Sequence, residues 1–254
     1  MSDVLFSTLA STQIFREYQR VFLYTCQYFY KKLKFINIHT HQNSFEENVV
    51  AIRNYYPDKD SLADFSENVP FSIGLHPWFI KPETVISDIR LVRQYAPPNT
   101  CLAIGETGLD KNITVDLNLQ KFVFLSHLQI ARDVSKPVIV HCVRAFAEII
   151  QLYKPFTGKV KLIFHGFNKN QLIANKLLED GHFLSFGKAI LNPGSNAAKI
   201  FTEISTDRFF LETDDAVTPI TEIYQAAAQL KNMSVEELKI KVFHNFETCF
   251  EKKV

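Results

Sequence analysis

The chain has 254 residues, 46% hydrophobic, 22% charged and 13% aromatic, which suits one large globular core or two small ones and excludes disorder, collagen and a coiled coil. Lys and Arg number 28 against 27 Asp and Glu, a formal charge of +1, so no broad field exists to grip a long polyanion or press the chain onto an anionic membrane. No apolar run is long enough to span a bilayer, and a soluble protein is expected.

Residues 1–34 stand outside any repeat and are expected to form a helical N-terminal extension, its apolar stretch Val21 to Tyr30 broken by Gln27 before a basic cluster, the wrong order for a signal peptide. From Phe35 onward, short β-rich runs alternate with longer helix-patterned stretches. The predicted strands are Phe35 to His39, Val49 to Asn54, Phe71 to Leu75, Cys101 to Gly105, Pro137 to His141, Val160 to His165, Phe183 to Phe186 and Arg208 to Glu212. Helices are predicted at Pro82 to Tyr95, Val115 to Val134, Arg144 to Tyr153, Lys169 to Glu179, Asn196 to Ile204, Pro219 to Lys231 and Ser234 to Phe250.

Eight strands, mostly linked by helices, predict an α/β chain folded as a (β/α)8 TIM barrel over residues 35–254. One connection resists the scheme: too few residues separate His41 from Val49 for a helical crossover, so the second strand is expected to be antiparallel or irregular. The cysteines Cys26, Cys101, Cys142 and Cys249 form no Cys-x-x-Cys pair, which points away from a disulfide scaffold or zinc module and toward a reducing, cytoplasmic setting.

Histidines and acids fall at strand ends. His39 and His41 end the first strand, Glu106 follows the fourth, His141 the fifth, His165 the sixth and Asp214 the eighth. In a parallel barrel these positions converge on one rim. A lone histidine at a strand end is more often a hydrogen-bonded core or surface residue, and Glu106 or Asp214 alone reads also as a helix cap; their conjunction is what points to a site. Residues i and i+2 of a strand share a face, so His39 and His41 can reach one ion. Glu106 can bridge two cations, His141 and His165 can hold the second, and Asp214 can complete the first and accept a proton from water. Such a set suits two divalent cations (Zn, Mn or Mg) about 3.5 to 4 Å apart, and hydrolysis through a metal-activated water.

The motifs Asn-Ile-His-Thr-His, Gly-Leu-His-Pro-Trp from Gly74, Ile-Gly-Glu-Thr-Gly-Leu-Asp from Ile104, Val-Ile-Val-His-Cys-Val-Arg from Val138, Phe-His-Gly-Phe-Asn from Phe164 and Leu-Glu-Thr-Asp from Leu211 occur in this order. Together they resemble the TatD family of metal-dependent deoxyribonucleases, amidohydrolase-like TIM barrels. The resemblance implies His39, His41, Glu106 and Asp214 as ligands of one metal, with Glu106 bridging to a second held by His141 and His165. It further implies that His76 and Arg144 lie near the substrate phosphate, and that the reaction is exonucleolytic cleavage of DNA or oligonucleotides at single-stranded ends.

The chain departs from the family pattern in places. Two residues precede Arg144 after His141 where one is usual, Lys111 replaces an aromatic, the segment between His41 and Gly74 is short, and Pro219 comes late after Asp214. Asp110 and Asp215 read as partners of an imidazole or as helix caps, with the cap favoured for Asp110. Trp78 reads as a base-stacking or a packing residue, Cys142 as packing, and His127 and His182 as helix surface or core. Two rivals stand beside the nuclease: a hydrolase of another ester or amide, such as aminoacyl-tRNA or a cyclic amide, and a non-catalytic binding module.

Overall fold

The computed structural model describes residues 33–42, 46–57 and 69–250. The predicted N-terminal extension lies outside them except for its last two residues. Eight parallel strands run in sequential order: β1 (Phe35–Thr40), β2 (Val49–Tyr55), β3 (Phe71–Ile73), β4 (Cys101–Asp110), β5 (Val138–Val143), β6 (Leu162–Phe164), β7 (Phe183–Phe186) and β8 (Phe209–Leu211). The helices are α1 (Val85–Tyr95), α2 (Leu117–Asp133), α3 (Phe146–Tyr153), α4 (Gln171–Glu179), α5 (Asn196–Glu203), α6 (Ile220–Lys231) and α7 (Val235–Phe250). The (β/α)8 barrel expected from the periodicity is the fold observed.

At the second strand the structure overturns one of the two expected alternatives, an antiparallel course, and shows the other, an irregularity. β2 pairs with β1 in parallel, Phe35 opposite Val49 and Ile36 opposite Val50, with one irregularity before Thr40. The rule demanding a dozen or more residues assumes a helix in the crossover. Returning along a six-residue strand takes roughly 20 Å, and the eight residues between β1 and β2 can reach roughly 26 Å, so the connection is long enough for a parallel return that needs no helix.

β4 also differs, continuing five residues past its predicted end at Gly105 and placing Glu106 inside the strand. Two glycines permit this. A Cβ on Gly105 would lie 2.4 Å from the Ile139 carbonyl oxygen, and one on Gly108 only 1.9 Å from that of His141, so β4 approaches β5 too closely for any side chain at either position.

The barrel closes between β8 and β1. Thr40 bridges Asp214 in parallel, His41 N donates to Asp214 O at 3.1 Å, and Asp214 N donates to His39 O at 3.0 Å. Because β8 is short, side chains extend the seam: Asn37 Nδ2 donates to Thr213 Oγ1 at 2.8 Å and accepts from Thr213 N through Oδ1 at 3.0 Å. Helix starts are set by local chemistry. Asp116 Oδ1 caps α2, Asn170 caps α4 and Ser195 caps α5, while Ser234 and Glu237 cap α7 reciprocally. Aromatic rings pack on both faces of the sheet, Phe183 on Phe210 (5.3 Å) on the face that carries Ser185 and Glu212 and Phe201 of α5 on Phe209 (4.8 Å) on the other, pairs that add about 0.5 to 1.5 kcal/mol each beyond area burial.

Candidate metal centre

All six predicted ligands meet at the carboxyl ends of the strands, around Glu106. Its two oxygens face different partners. Oε2 stands 3.5 Å from His39 Nε2 and 3.5 Å from His41 Nε2. Oε1 stands 2.9 Å from His141 Nδ1, 2.7 Å from His165 Nε2 and 3.3 Å from His76 Nε2. Asp214 Oδ1 completes the first group, 3.5 Å from His39 Nε2 and 3.3 Å from His41 Nε2.

These separations test whether cations fit. Two ligand atoms about 2.1 Å from a tetrahedral ion stand about 3.4 Å apart. The His39, His41, Glu106 and Asp214 atoms are spaced at 3.3 to 3.5 Å, too long for good hydrogen bonds and right for a tetrahedron's edges. Both nitrogens of His39 are buried and make no hydrogen bond among the described residues, an expense that a coordinated cation would remove. The donors around Oε1 lie closer, at hydrogen-bonding range, and His141 Nδ1 is 3.3 Å from His165 Nε2. Among the described residues, three overlapping sets of side chains have the spacing to hold an ion: His39, His165 and Asp214; His39, His41 and Glu106; and His76, Glu106 and His141.

The third set includes His76, but hydrogen bonding argues against its being a ligand. His76 Nδ1 accepts from Trp78 N at 3.2 Å. Burial outweighs the nearby Glu106 carboxylate and holds its pKa below the ordinary value, so the ring is neutral and its single proton sits on Nε2. His76 therefore presents a donor to the site.

Charge balances within the cluster. Burial alone would raise the Glu106 carboxyl, yet the imidazoles of His165, His141 and His39 hold it well below the carboxylate range. Burial likewise opposes the His41 imidazolium, but Asp214 and Glu106 raise its pKa to about 9, and they also raise that of His39. Asp214, despite burial, is held low by His39 and His41. Ring protons thus occupy the places that cations would take, so ion binding releases protons. Asp214 sits at φ 53°, in the left-handed region that Asp tolerates better than most residues.

Several supporting residues were not legible as such. Glu212 is fully buried; its Oε1 accepts from Gly166 N at 2.6 Å and lies 3.6 Å from His165 Nδ1, and its Oε2 accepts from Ser185 Oγ. It faces the buried His165 Nδ1 at ion-pair range, without a hydrogen bond between them. Its spacing from Asp214, two residues, repeats that of His39 and His41 and was the available signal. Tyr56 follows β2, stacks on His41 and donates from its hydroxyl to Glu106 Oε2 at 2.9 Å; nothing in the local sequence marks it.

Asp110 is no helix cap, since Asp116 caps α2. Its Oδ2 accepts from Trp78 Nε1 at 2.8 Å and lies 3.4 Å from His141 Nε2, so it is a partner of an imidazole. The Trp78 indole is thereby anchored while its residue stays 59% exposed. Asp215 pairs with Lys188 at 3.3 Å on the surface. Arg144 is exposed in the left-handed region after β5. Burial pushes the Cys142 thiol up to about 12, which removes it as a nucleophile. His127 and His182 are buried in the core.

A parallel barrel whose rim gathers imidazoles around a shared carboxylate is the framework of a metal-dependent hydrolase. The comparisons narrow this to a family: the one described as TatD related DNase matches residues 59–251, and the chain belongs to it. It is 30% identical over 202 residues to YcfH, described as a metal-dependent hydrolase, of Escherichia coli K12, covering 72% of this chain and 74% of that protein. It is 32% identical over 127 residues to the 3'-5' ssDNA/RNA exonuclease TatD of Erwinia tasmaniensis, covering 48% and 49%. Among solved structures, the TatD homologue YJJV of E. coli K12 superposes with a TM-score of 0.73 at 18% identity, covering 87% of this chain and all of that one. No helix among the described residues is long and apolar enough to cross a membrane.

Proposed function

We propose that this metal-dependent hydrolase is a phosphodiesterase acting on DNA at single-stranded ends, with two divalent cations held by His39, His41, Glu106 and Asp214 on one side and by Glu106, His141 and His165 on the other. The observation that carries the reading is the division of Glu106, one oxygen turned to the His39 and His41 pair and the other to His141 and His165. When bound, Zn, Mn or Mg would supply Lewis-acid polarisation of the phosphoryl group and an acidified water.

The chain's own groups do the rest. Asp214, with a side chain 36% exposed at the rim, takes the proton of the attacking water on Oδ2, the oxygen not turned to His39 and His41. His76 donates from Nε2 to a non-bridging phosphate oxygen as charge grows there. Glu212 and Asp110 keep the His165 and His141 rings aimed. Arg144, exposed on the same rim, is assigned to a phosphate further along the strand. The near-zero net charge favours a few nucleotides in the pocket over a grip on long duplex, and the named activity of the Erwinia relative supports a nucleic-acid substrate. The compartment we assign is the cytoplasm, in keeping with the free thiols of Cys101, Cys142 and Cys249.

The test compares the parent and Asp214→Asn on a labelled single-stranded oligonucleotide with Mn or Mg. The variant is expected to fold normally by circular dichroism and to lose on the order of 10³-fold in kcat. Full activity in Asp214→Asn refutes the proton-acceptor role. A parent that cleaves a carboxylic ester but no DNA moves the protein to the ester and amide hydrolases.

A further inference from the structure

Beside the metal centre lies a cavity of about 200 Å³, walled by Phe146, Phe167, Cys142 and Lys169 and opening onto His141, His165 and Asp214. Drug-sized ligands occupy roughly 300 to 1,000 Å³, so this space admits a single ring-sized moiety. Its aromatic side is rigid: Phe146 stacks on Phe164 at 5.7 Å with planes 23° apart and meets Phe167 edge-on at 6.5 Å.

Lys169 belongs to the loop that follows β6, and that loop is tied down on both sides of it. Gly166 N donates to Glu212 Oε1 at 2.6 Å, and Phe167 N to Ser185 O at 2.9 Å. Asn168 Oδ1 accepts from Ala197 N at 2.9 Å, and Asn170 Oδ1 accepts from Ile173 N at 3.0 Å. Between these anchors Lys169 is half-buried on the cavity wall, and its ammonium forms no ion pair among the described residues. Two other lysines at this end of the barrel are engaged, Lys111 with Glu148 and Lys188 with Asp215. Arg144 does not wall the cavity. An unpaired cation on a tied-down loop beside an aromatic wall is what a nucleotide requires: a flat face for its base and a charge for its phosphate.

We propose that this cavity seats the nucleoside adjoining the scissile phosphate, its ring against Phe146, with Lys169 binding the next phosphate along the strand. The proposal rests on the phosphodiesterase reading above and adds that the site measures its substrate as a nucleotide rather than as an isolated diester.

The test sets a single-stranded oligonucleotide against bis(4-nitrophenyl) phosphate, a diester without a second phosphate, for the parent, Lys169→Gln and Lys169→Arg with Mn present. Lys169→Gln is expected to lose about tenfold more kcat/KM on the oligonucleotide than on the small diester, mainly through KM. The slope of log KM against log salt should shrink by about 0.7, one phosphate contact on a single strand. Lys169→Arg should restore most of both. Equal losses on the two substrates, or an unchanged salt slope, overturn the assignment of Lys169. A parent that cleaves the small diester but no oligonucleotide sinks the nucleotide seat and the DNA substrate and leaves only phosphodiester hydrolysis standing. A parent that cleaves neither sinks both.

Discussion

His127 offers a test away from the candidate metal ligands. It lies on α2, fully buried, with Nδ1–H donating to Val123 O at 2.8 Å and Nε2 accepting from Leu75 N at 3.0 Å. That second bond holds the strand end immediately before His76. Burial, only partly offset by the Val123 carbonyl, lowers its pKa from 6.5 to about 4. Protonation would leave Leu75 N without an acceptor and place a charge in the core.

The sign follows from linkage. Above pH 6.5 the ring is neutral in both states and costs nothing. As pH falls below 6.5 the unfolded chain takes up the proton first, so stability drops until pH passes about 4, where both states are protonated. At about 1.4 kcal/mol for each tenfold change in proton affinity, the loss is on the order of 3 kcal/mol. Glutamine keeps one donor and one acceptor and does not titrate, so His127→Gln isolates this contribution while the other histidines cancel in the difference. Urea unfolding of parent and variant between pH 7.5 and 4 should show the parent losing up to about 3 kcal/mol relative to the variant. A stability gap that stays constant over that range would refute the buried, neutral tautomer.

Two further outcomes bear on the centre itself. Glu106→Ala should lower the bound metal measured by elemental analysis on both sides of the site at once, since one carboxylate serves both groups; full metal content in this variant would remove its bridging role. Glu212→Gln keeps the bond from Gly166 N but weakens the carboxylate's hold on His165, and metal affinity by competition with a chelator should fall about 10- to 100-fold. Unchanged affinity would make Glu212 a packing residue only.

Among the described residues, the pattern of side chains along the chain was sufficient for eight strands, their order and seven α-helices, because strand and helix periodicities are local properties, read within a dozen residues. It was sufficient also to bring the six candidate side chains to one place, because a parallel barrel sends every strand's end to one rim whatever the distance along the chain. The parallel course of β2 was not legible, since it depends on the reach of an eight-residue connection against the length of one strand.

Nor was the approach of Tyr56 to Glu106, or the choice of Asp110 between a helix cap and His141. These join residues 31 to 50 positions apart through side-chain directions that only the closed barrel sets. Local sequence determined which groups reach the rim. The packing of β4 against β5, possible only with glycine at 105 and 108, decided which atoms face one another there.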